Sequence, residues 1–99
     1  MNEYLFLERF EKYLEKKGYS KFTPSGLPST AYDYSQVRIP FILRNEQIDI
    51  TELMLNIDYY VSIYDLEGAK EFLGNKSHRA VINALKRFRE YCNSELFRK

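Results

Sequence analysis

The chain of 99 residues is 44% hydrophobic and 29% charged, the composition of one globular domain with no room for a second autonomous core. Its 15 Lys and Arg against 14 Asp and Glu leave a formal charge of +1, which excludes the strongly basic total that marks most nucleic-acid binders. A chain this small buries only about two-thirds of its unfolded surface, so the nine Tyr and seven Phe must supply much of the area that offsets chain ordering.

The longest apolar stretches, Leu5-Phe6-Leu7 and Pro40-Phe41-Ile42-Leu43, fall far below the roughly 18 residues of a membrane span. Glu3, Glu8 and Arg9 do not fit a secretory signal, so a cytoplasmic location and no membrane partner are expected. The single cysteine, Cys92, cannot form an internal disulfide, and no Cys or His stands near it at zinc-ligand spacing. Neither a metal nor a cofactor is expected.

From Asn2 to Lys17 the residues Leu5, Phe6, Phe10, Tyr13 and Leu14 recur at helical spacing, with Glu8, Glu11, Lys12, Glu15 and Lys16 on the other face. Asn2 is the expected N-cap and Gly18 the stop. The segment 19–30 holds two prolines, a glycine and several hydroxyls, and reads as a loop that ends in a cap at Ser29 or Thr30. A second helix follows with Ala31, Tyr34, Val37, Arg38, Phe41 and Ile42 at helical intervals. Pro40 predicts a kink or break near Val37 to Ile39.

Asp49 or Thr51 opens a third helix with Leu53, Met54, Ile57, Tyr60, Val61 and Tyr64 as its buried stripe, ending near Gly68. A turn over Ala69 to Leu73 leads to the last helix. There Ser77 is the expected cap, and Val81, Ala84, Leu85, Phe88, Cys92 and Leu96 share one face. The pattern predicts an all-α fold, a compact bundle of four to five short helices forming a single domain.

Charge is sorted along the chain. Residues 46–71 carry seven acidic side chains and one basic, whereas residues 72–99 carry seven basic and two acidic. The closing helix has Arg79, Asn83, Lys86 and Arg87 opposite its apolar stripe, with Lys76 just before it and Arg89 at the boundary. Phosphates need such cations together with donors at a helix start, which Asn75, Ser77 and His78 would place there. The loop around Thr23 to Thr30, beside Lys21, offers further hydroxyls and amides. The plainer alternatives are a solvated basic face and a loop that only caps and turns. His78, the one histidine, has no identifiable nucleophile beside it, Cys92 belongs to a core stripe, and the tyrosines lack an Arg/His cluster. No enzyme activity is expected.

The segments Phe10-Glu-Lys-Tyr13-Leu14-Glu-Lys-Lys-Gly18-Tyr19-Ser20, Thr30-Ala-Tyr32 and Ser77-His-Arg-Ala-Val81-Ile-Asn-Ala84-Leu85-Lys-Arg-Phe88-Arg-Glu-Tyr91 resemble the N-terminal core-binding (SAM-like) domain of phage integrases and other tyrosine recombinases. The resemblance implies a small helical bundle that clamps one side of duplex DNA through phosphate contacts, with catalysis left to a separate domain. On this reading the nucleic-acid-binding residues are Lys21, Lys76, Ser77, His78, Arg79, Asn83, Lys86 and Arg87. It requires the cationic ridge of the closing helix to project outward, clustered and unobstructed. The alternative is a protein-interaction module, such as an inhibitor of a nucleic-acid enzyme, that uses Asp58, Asp65, Glu67 and Glu71. A third possibility is self-association through Tyr59, Tyr60 and Tyr64, too many aromatics for one buried face.

Overall fold

A computed structural model describes residues 2–96. The fold is all-α, a compact helical bundle as the periodicity predicts. Helix α1 spans Glu3–Lys16, and Asn2 caps it by accepting a hydrogen bond from the Leu5 amide at 3.1 Å. At its end Gly18 takes φ +103°, a conformation open to glycine, which lets the Tyr19 amide fold back onto the Leu14 carbonyl at 3.0 Å. Two expectations for α1 need correction. Leu5 is 46% exposed while Leu7 is buried, and Glu11, assigned to the polar face, is only 4% exposed. Its carboxylate reaches Lys21 at 3.3 Å and the buried Ser35 hydroxyl at 3.3 Å, so the polar group is satisfied where α1 meets the next helix.

The loop after α1 turns back on itself. Thr23 and Leu27 pair through their backbone at 2.8 Å, and Gly26 has φ +86°. Helix α2 then runs over residues 30–46 in three continuous parts: α-helical Thr30–Tyr32, π-helical Asp33–Arg38 and α-helical Ile39–Glu46. Pro40 neither breaks nor ends this helix. The Ile39 amide bonds to the Tyr34 carbonyl, five residues back, so the ladder has already widened where proline would otherwise clash with the preceding turn. Ser29 starts α2 without a side-chain cap bond, its hydroxyl accepting instead from Ser20 at 2.9 Å. Ala31, Ser35, Ile39 and Ile42 are buried, while Val37, expected inside, is exposed.

The predicted third helix is two. Helix α3 is Ile50–Leu55, capped by the Asp49 carboxylate on the Glu52 amide at 2.8 Å, and α4 is Ile57–Tyr64. They part at Asn56, whose φ/ψ of −120° and 31° leaves the helix and whose side chain bonds the Glu52 carbonyl at 3.2 Å. Tyr60 and Tyr64 are buried, whereas Tyr59 is exposed. The Tyr64 hydroxyl donates to Glu46 at 2.6 Å and accepts from Asn45 at 2.8 Å, tying the end of α2 to α4. The expected turn over Ala69 to Leu73 contains a short helix, α5, Glu71–Gly74.

Helix α6, Lys76–Tyr91, is the hub, touching α1, α2, α4 and α5 and continuing into a π-helical turn, Cys92–Leu96. Phe88 and Tyr91 interlock with Phe6, Phe10 and Tyr13, and the Phe10 and Phe88 rings meet edge to face at 5.2 Å. Leu96, placed on the apolar stripe by its spacing, is exposed because the π turn rotates it away. Among the described residues no helix is long and apolar enough to cross a membrane.

Gly74 sits where a Cβ atom would collide with the Tyr64 carbonyl. Gly74→Ala is therefore expected to destabilise the fold by about 2–3 kcal/mol, read as a lower urea midpoint. An unchanged midpoint would contradict the close approach of α4 and α5.

Candidate nucleic-acid interface

The first turn of α6 is not the helix start that the sequence predicts. Ser77, His78 and Arg79 have φ of 53°, 59° and 66°, a left-handed turn without a glycine, and the right-handed course resumes at Ala80. Ser77 is therefore not a cap, and the expected phosphate-binding helix start is replaced by a turn that costs about 1–2 kcal/mol per residue. The turn brings Ser77 and His78 against Ser29, Thr30 and Arg38 of α2, lining a cleft of about 420 Å³. Asp33 and Tyr34, on the π-helical part of α2, line the same cleft.

The cations of α6 do not form one free row. On one margin Arg79 and Lys86 both reach Asp65, at 3.5 and 3.1 Å. On the other, Asn83 faces Tyr34, and Arg87 bonds the Tyr19 hydroxyl at 3.3 Å and pairs with Glu90 at 3.1 Å. Arg89 reaches Asp58 at 3.5 Å. Lys21, the loop candidate, is paired with Glu11 rather than joined to this group. Lys76 has no carboxylate at ion-pair distance among the described residues, and its ammonium lies 5.8 Å from the Phe41 ring centre. Arg98 and Lys99, counted in the basic segment, lie outside the described residues.

Much of the charge sorting thus has a use inside the fold. Asp58 meets Arg89, and Asp65, seven residues later, meets Lys86 and Arg79, so the acidic end of α4 runs antiparallel along the basic α6. The Leu66 amide, then Lys86 and Arg79, hold the Asp65 carboxyl below its ordinary range against the opposing effect of burial. Burial pushes Glu46 upward, but hydrogen bonds from Lys70 and Tyr64 outweigh it and leave this carboxyl lowered as well. The Tyr19 hydroxyl and Glu90 raise the Arg87 guanidinium further above neutrality. Burial alone pushes the Cys92 thiol up to about 12, which leaves it a core side chain.

Sequence reasoning missed Arg38, Tyr34 and Tyr19 as members of this surface. Arg38 was read as one more position of a helical stripe, and the π-helical widening that turns it towards the cleft has no single-residue signature. Among the described residues no group of His, Cys, Asp and Glu could hold a metal ion. Compared with protein-family models, with curated proteins and with solved structures, the chain has no match.

Because the folded Asp65 and Glu46 carboxyls are lowered, the stability they contribute is present above the unfolded value near pH 4 and is lost as pH falls through the lowered one. Asp65→Asn should therefore flatten the acid limb of a stability-against-pH curve measured by urea unfolding. An acid limb as steep as that of the unmodified protein would show that Asp65 is not held by Lys86 and Arg79.

Proposed function

We propose that the chain is a non-catalytic module that binds duplex DNA, mainly through the phosphate backbone, in the manner the resemblance to a recombinase core-binding domain implies. The observation that carries this reading is the meeting of two irregular backbone segments, the π-helical 33–38 and the left-handed 77–79, at one cleft. Such departures cost stability and gather at working sites. The cleft offers hydroxyls from Ser29, Thr30 and Ser77, the ring of His78, and the guanidinium of Arg38, which is paired with Asp33 at 2.9 Å, so a phosphate there has to compete with that carboxylate. Lys76 directly precedes Ser77 in the chain, and the α6 strip with Arg79, Asn83, Lys86 and Arg87 follows it. The ion pairs of that strip are solvent-accessible, and such pairs are worth only about 0–1 kcal/mol, so a phosphate can take over the cation. Asp65 and Glu90 then act as a brake on affinity.

Fluorescence anisotropy with a blunt duplex at two or more salt concentrations tests the reading. Engaging Lys76, Arg79, Lys86 and Arg87 should give a log–log salt slope of about −3 to −4, at about −0.9 per neutralised phosphate. Lys76→Glu should weaken binding about tenfold and make the slope shallower, while Asp65→Asn should tighten binding by releasing two cations. Absent binding, or binding indifferent to salt, would remove this function.

A second reading is favoured by one specific observation. Leu55, Tyr59, Leu66 and Phe72 are each 59% or more exposed, alongside Glu52, Glu67 and Glu71. These exposed side chains support a protein-interaction module that works through the acidic segment, with a homodimer as one form of it. Sedimentation equilibrium discriminates: a dimer that Tyr59→Ser/Phe72→Ser dissolves supports self-association, and a monomer at all concentrations removes it.

A further inference from the structure

A second cleft lies elsewhere, between the end of α1 and the last turns of α6. It measures about 620 Å³, within the roughly 300–1,000 Å³ of small-ligand sites. We propose that this cleft receives an unpaired nucleotide, so that the protein prefers DNA carrying a single-stranded end to a blunt duplex. The proposal rests on the DNA-binding reading above and names the form of DNA that reading leaves open.

Tyr13 and Tyr19 wall the cleft, and Lys17 and Arg87 supply its cations. The Lys17 ammonium lies 5.5 Å from the Tyr13 ring centre and has no ion pair among the described residues, whereas Glu90 is matched by Arg87. The net charge presented is therefore positive. The Arg87 Nε is shielded from solvent and faces Glu90 at 3.1 Å, and a terminal nitrogen bonds the Tyr19 hydroxyl at 3.3 Å, so the guanidinium is fixed in place where it lines the cleft. Aromatic walls with cations at their edge suit a flat ring that carries an anion. A nucleotide offers both, the base to the rings and the phosphate to Lys17 and Arg87.

Continuity with the first cleft selects a nucleotide over other aromatic anions. Tyr34 lines the first cleft and Tyr19 the second, and their rings lie 6.4 Å apart. Asn83 and Arg87 of α6 stand beside these two rings. A DNA strand whose phosphates follow the α6 strip from Ser77 therefore arrives at the second cleft. A base can enter between side chains only when it has left the duplex stack, which costs least at an unpaired end.

The test compares a blunt duplex with the same duplex bearing a short single-stranded overhang that contains 2-aminopurine. The overhang should bind about tenfold tighter, the value of one stacked base, and 2-aminopurine fluorescence should be quenched on binding. Lys17→Gln should remove most of that advantage while leaving blunt-duplex affinity within about threefold, Tyr19→Leu should bring the ratio of overhang to blunt affinity close to one, and Tyr19→Phe should retain the advantage. Circular dichroism of each variant identifies loss of fold, and Lys17→Gln, an exposed position, serves if Tyr19→Leu fails to fold. Equal affinity for blunt and overhanging DNA would overturn the inference and leave the duplex reading intact. An advantage untouched by Lys17→Gln and by a folded Tyr19→Leu would overturn its placement in this cleft. Absence of binding to either DNA would overturn both.

Discussion

Everything in this fold is arranged around the burial of one helix. Val81, Ile82, Ala84, Leu85 and Phe88 of α6 are all within 1% of full burial, which requires cover from α1 on one side, α2 on another and α4 with α5 on a third. At roughly 25 cal/mol per Å² of apolar surface removed from water, no surface ion pair compares with this contribution. The requirement also determines what remains for partners. The strip with Arg79, Asn83, Lys86 and Arg87 is left partly open, bordered by Asp65 on one margin and by Tyr34 and Tyr19 on the other.

That geometry changes the meaning of the charge pattern. A protein with an acidic middle and a basic end suggests two external partners of opposite sign, yet here the two segments meet each other along α4 and α6. Their attraction is a modest guide to register rather than a source of stability, since the groups remain solvent-accessible. The positions left over are more informative. Among the described residues neither Lys76 nor Lys17 has a carboxylate at ion-pair distance; both lie over aromatic rings, and Lys17 lines an open cleft. The DNA binding proposed above would, on a surface built this way, weaken at high salt and respond sharply to the removal of single carboxylates.

The helices were legible in the sequence because their signals are local. Asn2, Gly18 and Asp49 do what their residue types predict, and the stripe from Val81 to Phe88 is buried as its period requires. What escaped depends on tertiary context. Glu11 looks like a solvent-facing residue until Lys21 and Ser35 are brought to it. Asn56 splits a stripe whose apolar period continues across the break, and Pro40 is absorbed by a π-helical widening several residues upstream. The candidate site was half legible: the residue types at Lys76 to Arg87 point to helix α6. The left-handed turn at 77–79 and the convergence with Arg38 depend on packing, because Ser and Arg have no preference for that conformation and the enrichment of His in it does not predict a run of three.

The account stands on a single surface, the cleft between α2 and the start of α6 together with the strip leading from it. Mapping amide chemical shifts by NMR during titration with a short DNA duplex tests it most directly. The account predicts that the largest changes fall at Ser29, Thr30, Arg38, residues 76–79, Asn83 and Arg87. Changes confined to Leu55, Tyr59, Leu66 and Phe72, or no change at all, would contradict it.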